Sequence, residues 1–217
     1  MHRRRRNAIT VSAALLLAAP LLSACGEQAH PGAAAVVGGE RIEVSAVQAK
    51  VKDVRAAQER SPQAAQLIKD SGQLSRAKLY DLIVGRVVQR AADDAGVTVS
   101  RKEIQEGRIA LARQAGGEEQ LAAVYLQQRG VAPDQIEEVV RRDVVVGKLA
   151  QALGAGETPD SQQKLNAAFS AAAKALKIDV NPRFGSWSDQ KLELGDYKAP
   201  WISQVSKQPE PVPTAGA

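Results

Sequence analysis

Histidine, cysteine, methionine and aromatic side chains are scarce in this 217-residue chain: two, one and one of the first three, with aromatics at 3 %. His2 and His30 both lie outside any stretch with a core-forming periodicity. Histidine-based acid–base catalysis and histidine metal sites are therefore excluded. A single cysteine permits no intrachain disulfide and no cysteine–histidine nucleophile. Adjacent carboxylates recur (Asp93-Asp94, Glu118-Glu119, Glu137-Glu138), but neighbouring positions on a helix face different directions. They read as solvated faces, not as acid–base dyads. The composition points to no cofactor and no metal, and an enzyme is the least supported class.

The first residues supply what the composition hides. Arg3-Arg4-Arg5-Arg6 precede an apolar run from Ala8 to Leu22, and Leu22-Ser23-Ala24-Cys25 follow. A charged start, an apolar stretch too short to span a bilayer and small residues before a cleavage point describe a secretory signal. Leu-Ser-Ala-Cys has the form of a lipobox, in which the thiol takes a diacylglycerol and cleavage leaves Cys25 first. Two or three acyl chains then tether the protein to the outer face of the cytoplasmic membrane without spanning it. Four of the 29 Lys and Arg residues would leave with the leader and no acid with them, so 25 face 24 acidic residues. The formal +5 is thus mostly a property of the leader, and a nucleic-acid partner loses its main support.

The organising stretch runs from Leu79 to Ile109. Projected at ~100° per residue, Leu79, Tyr80, Ile83, Val84, Val87, Val88, Ala91 and Ala95 share about half a helix circumference. A face that wide calls for cover from other elements. Gly96 suits the left-handed residue past a helix end, with Val97 packing back over the last turn. Ser100 and Glu103 have capping-box spacing for the next helix.

Around this hub the chain reads as follows. Gly26 to Ala35 is small and polar, a spacer. Ala35 to Ile42 forms a hairpin about Gly38-Gly39. Ser45 and Gln48 cap a helix to Arg60 with Val47, Val51 and Val54 on one side. Ser61-Pro62 starts a short helix, ended by Gly72. Beyond the hub, a helix from Ser100 to Ala115 carries Ile104, Ile109 and Leu111. One from Glu118 to Arg129 carries Leu121, Val124 and Tyr125, and ends in a second Gly-Val pair, Gly130-Val131. Pro133 begins a helix to Leu153, apolar nearly all round from Val144, which calls for a central position. A further helix from Thr158-Pro159 reaches about Leu176. Ile178-Asp179-Val180 is too short a strand to stand alone, so it should pair with the N-terminal hairpin. A turn with two aromatics, Asn181 to Trp187, follows. The end from Lys207 is Pro-rich and without periodicity.

These elements resemble the N-terminal domain of SurA-type and PrsA-type extracytoplasmic chaperones. The likeness rests on Val36-Val37-Gly38-Gly39-Glu40-Arg41-Ile42 before a long helix and on the hub with its Gly96-Val97-Thr98-Val99-Ser100-x-x-Glu103 ending. It continues through the short Gln-containing helix before Gly130-Val131 to the helix with Arg141-Arg142-Asp143, and covers about Ala34 to Leu153. The resemblance implies a mainly α bundle with a small β element, made from the N-terminal hairpin and a C-terminal strand. It implies a membrane-tethered holdase for unfolded or newly exported polypeptides. Many such proteins also carry a parvulin prolyl isomerase, whose sites use histidines near a polar Cys or Asp with Met and Phe around the proline. The mature chain has one histidine, in the spacer, and no Met beyond Met1, and Leu153 to Ile178 is too short for that domain, so no isomerase activity is expected.

The expected layout is a leader (1–24), a tether (25–34), the helical domain (35–154), a C-terminal helix, strand and aromatic turn packed on it (155–206), and a tail (207–217). Candidate client contacts are Leu121, Tyr125, Phe184, Trp187 and Trp201, large apolar groups on short or irregular segments. The alternative is an envelope scaffold holding one folded partner, since fold alone does not fix function. A solute-binding lipoprotein would need a two-lobed α/β fold, and only three short strands are legible, so no small-molecule substrate is expected.

Overall fold

The computed structural model describes residues 32–154 and 159–197. The leader, Cys25, most of the tether, Trp201 and the tail lie outside the described residues. The order is β1 (Ala33–Val37), β2 (Glu40–Glu43), α1 (Val44–Glu59), α2 (Ala64–Lys69), α3 (Leu74–Asp94), α4 (Arg101–Ala115) and α5 (Glu118–Arg129). A 3-10 turn over Pro133–Gln135 leads into α6 (Ile136–Ala152), followed by α7 (Pro159–Leu176), β3 (Asp179–Val180), β4 (Ser186–Ser188) and β5 (Glu193–Gly195). The protein is mainly helical, with a small antiparallel sheet.

Helix α3 is the hub because its apolar residues recur at helical spacing. Leu79, Ile83, Val87 and Ala91, each four residues apart, are 0–3 % exposed and face one core. That core takes Ala34, Ala35 and Val37 from β1, Leu149 from α6, and Leu165, Ala172 and Ala173 from α7. Val88 and Ala92 turn toward Val145 of α6. Helix α6 runs beside both α3 and α4, which gives the apolar second half of α6 its central place. The hub ends as its residues require. Gly96 has φ +65°, its N–H bonds the Asp93 carbonyl, and the Val97 N–H reaches the Ala92 carbonyl at 2.8 Å. The Ser100–Glu103 capping box is formed on both sides.

The sheet closes the chain on itself in the order β2-β1-β3. Ala35 pairs with Val180 and Val36 with Asp179, antiparallel, as the strand too short to stand alone required. Asn181 extends the join: its N–H and side-chain amide donate to the carbonyls of Ala34 and Ala33. The Gly38 turn docks on the end of α7, its N–H bonding the Leu176 carbonyl at 2.6 Å. A Cβ at Gly38 would meet only the movable tip of Leu176, at 2.9 Å, so it is the φ of +62° that calls for glycine there.

Several expectations need correction. Ala33 and Ala34, assigned to the tether, are fully buried in β1. No Ser45 cap forms, because β2 runs straight into α1 and Glu43 occupies the N-cap position without a side-chain cap. The short helix begins at Ala64, after a turn at Ser61–Gln63, and ends at Lys69, ahead of Gly72. Tyr80 lies at the edge of the apolar arc and is 36 % exposed. Ile109 and Val124, expected on apolar faces, are exposed as well. The β4–β5 hairpin, unforeseen, pairs Trp187 with Leu194. It is pinned to α3 by Arg76, which bonds the Asp196 carboxylate at 2.7 Å and the Leu194 carbonyl.

Lys78 is the least expected core residue, at 2 % exposure. Its ammonium lies 2.9 Å from the Asp81 carboxylate one turn on, and Arg142 of α6 approaches the same carboxylate at 3.5 Å. Removing Asp81 strands a buried ammonium, whereas removing Lys78 leaves a part-exposed carboxylate that keeps Arg142. Asp81→Asn is expected to lower unfolding stability by about 3 kcal/mol, and Lys78→Met to stay within about 1 kcal/mol of the parent. Urea unfolding of the two variants checks the order; a costlier Lys78→Met contradicts it.

Candidate functional site

Between α3 and α6 runs an open groove of about 260 Å³. Leu82, Gly85 and Val88 from α3 and Val145 from α6 give it an apolar floor. The floor exists because α3 is apolar over more of its circumference than one neighbour covers. Val88 and Val145 are held within the core beneath, while Gly85 leaves a gap in which a Cβ would meet nothing within 4 Å. Arg86 and Gln89 edge the groove on the α3 side, and Glu138, Arg141 and Arg142 edge it on the α6 side.

The charges at the rim differ in how firmly they are held. Arg86 donates to the carbonyls of Val37, Glu40 and Arg41 and lies 3.6 Å from the Glu40 carboxylate. Glu138 is paired with Lys50 of α1, and Arg142 with Asp81. Apolar side chains flanked by fixed polar groups form the usual lining of a binding cleft. The arrangement can hold and orient a chain. Among the described residues no group of three or more His, Cys, Asp and Glu is placed to hold a metal ion, and no helix is long and apolar enough to cross a membrane.

The candidate contact residues are not brought together. Leu121 and Tyr125 on α5 are 2 % and 7 % exposed and pack with Ile104, Ile136 and Val140. Arg129 lies 5.1 Å above the Tyr125 ring. Phe184, at 7 % exposure, closes the main core, with Arg183 over its ring at 5.9 Å. The exposure expected of these three fails because the inner face of α5 packs against α4 and α6, and the turn that carries Phe184 folds back onto the main core. Trp187 is half-buried, its ring 6.2 Å from Tyr80 and its N–H on the Asp189 carboxylate. Trp201 falls outside the described residues. The groove residues escaped the sequence reading because each belongs to a helix whose period marks it as core or surface. The one available signal was Gly85, a glycine inside the strongest helix of the chain.

A profile of the SurA-like N-terminal domain matches residues 1–150, more than two thirds of the chain. The chain belongs to the SurA-like N-terminal domain family. No curated protein and no solved structure matches it. The family is chaperone-like and folding-related, and its domain alone is a non-catalytic chaperone-type unit. The match ends inside α6, so α7, β3, β4 and β5 complete the SurA-like core from beyond it.

One titrating group, Glu103, ties α4 to α6. Lys148 of α6 hydrogen-bonds Glu103, and the Ser100 backbone N–H and hydroxyl add to it, holding the carboxyl down from 4.5 to about 2. With the native value depressed, this contribution is complete above the unfolded value and is lost as pH falls toward 2. Lys148→Met removes the largest cause. Its stability, measured by urea unfolding, is expected to fall less than the parent's between about pH 5 and pH 2.5; an equal fall contradicts the assignment.

Proposed function

We propose that the protein is a lipid-tethered extracytoplasmic chaperone that holds unfolded or newly exported polypeptides and performs no covalent step on them. The observation that carries this reading is the SurA-like N-terminal domain match over residues 1–150, a family associated with unfolded polypeptides. The groove between α3 and α6 supports it, since half-buried Leu82 and the open space at Gly85 give an apolar segment a place to lie. Tethering rests on the sequence around Cys25, where acylation would hold the domain at the site of emergence of exported chains. Tyr80, exposed beside the half-buried Trp187, offers a second adhesive point. Lacking the parvulin constellation, the chain leaves prolyl bonds at their spontaneous rate.

Two arms of one experiment test the reading. The purified protein is expected to suppress aggregation of chemically denatured clients at near-stoichiometric ratio, without accelerating prolyl isomerisation in a protease-coupled assay. In cells, Cys25→Ala is expected to move the protein from the membrane fraction to the soluble extracytoplasmic fraction. No suppression with several clients overturns the chaperone role. Capture of one dominant folded partner by crosslinking in cells overturns it in favour of a scaffold, and unchanged membrane association of Cys25→Ala overturns the tether.

A further inference from the structure

We propose that the α3–α6 groove selects its clients by charge: it takes a short extended apolar segment with a carboxylate beside it, and Arg141 reads that carboxylate. The inference rests on the chaperone reading and narrows the client class. Three observations carry it.

The first is size. Leu82 to Gln89 spans seven helical steps of about 1.5 Å, roughly 10 Å of groove. An extended chain advances about 3.3 Å per residue, so roughly three client residues fit. The second is the floor. Leu82, Val88 and Val145 are apolar, and the space over Gly85 is empty to 4 Å from a would-be Cβ, leaving room for an aliphatic side chain to enter.

The third is the balance of charge at the rim. Arg86 has Glu40, Arg142 has Asp81, and Glu138 has Lys50. Arg141 is exposed and has no hydrogen bond or ion pair among the described residues. One uncompensated guanidinium therefore stands beside an apolar floor, between partners already fixed in place. A guanidinium presents a planar fork that matches a carboxylate with two parallel hydrogen bonds. A lysine beside the same segment would meet a like charge at Arg141, while Glu138, the one acid lining the groove, is already held by Lys50. Because Arg86 and Arg142 are held by their own contacts, ordering the groove around a client costs little side-chain entropy.

The test uses full-length protein in detergent and three fluorescein-labelled peptides sharing a Leu-Val-Leu core, flanked by Asp, Gln or Lys, read by fluorescence anisotropy. The Asp-flanked peptide is expected to bind at least tenfold more tightly than the Lys-flanked one. Arg141→Gln should bring the two within twofold. Gly85→Leu, which fills open space, should weaken the Asp-flanked peptide tenfold or more while circular dichroism and Tm stay near the parent's. Equal affinities in the parent, or a preference that survives Arg141→Gln, overturns the charge reading whether or not aggregation is suppressed. Charge preference without aggregation suppression upholds the groove and overturns only the chaperone role. A dimer that Gly85→Leu turns into a monomer makes a second copy the occupant, and tighter binding of all three peptides after removal of residues 198–217 makes this chain's own end the occupant; either overturns the proposal.

Discussion

A helix with apolar residues round half its circumference cannot be satisfied by one neighbour, and α3 imposes that constraint on the whole fold. Leu79 and Ile83 are fully buried and Val87 nearly so, each contributing about 1.5–3 kcal/mol of transfer free energy. That gain is available only if several elements converge on one helix. Strand β1 covers one side of it, α7 another, and α6 a third. The segments flanking the long middle of the chain are drawn together as a result. The first strand and the last helix meet over α3, and β3 adds itself to β1 where both would otherwise be too short to persist. Between α3 and α6 the cover is incomplete and a groove remains, so the feature proposed to hold clients follows from the hub's width.

The polar interior follows the same logic. Lys78 lies on the flank of α3 that turns toward α1 and α6, and it is tolerated there because Asp81 and Arg142 complete a three-membered ionic cluster. Gln135 donates to the Lys50 carbonyl nearby, and Lys50 holds Glu138. These contacts join α1, α3 and α6 behind the groove and fix two of the groups that edge it. The packing that stabilises the fold therefore shares residues with the groove proposed to hold clients.

Most of the helical plan was legible because it depends on local rules: the period of α3, the Gly96-Val97 and Gly130-Val131 endings, and the Ser100–Glu103 box. The β3 pairing was legible for a different reason, since an isolated short strand has few places to go. What the sequence hid is tertiary. Tyr80 reads as core by its angle, but only the position of Trp187 decides how much of its ring is covered. Ser45 has the spacing of a cap, yet the turn-free join from β2 into α1 puts the N-cap two residues earlier, at Glu43. The β4–β5 hairpin gives no alternating signal in three-residue strands, and it is fixed instead by Arg76 across more than a hundred residues of chain. Leu121, Tyr125 and Phe184 were plausible surface groups by segment length alone, and burial overrode that. Of the groove, only Gly85 left a trace, because an interfacial hollow is a property of two helices and not of either.

The central claim is that α3 stays folded only while elements from both ends of the chain cover it. Hydrogen exchange of the protein ending at residue 154, compared with the full-length chain, tests this directly. Losing α7 and β3 is expected to remove slow exchange from Leu79 to Ala91 and abolish cooperative unfolding, and supplying 155–197 as a separate peptide to restore both. Unchanged protection of α3 in the shortened protein would contradict it.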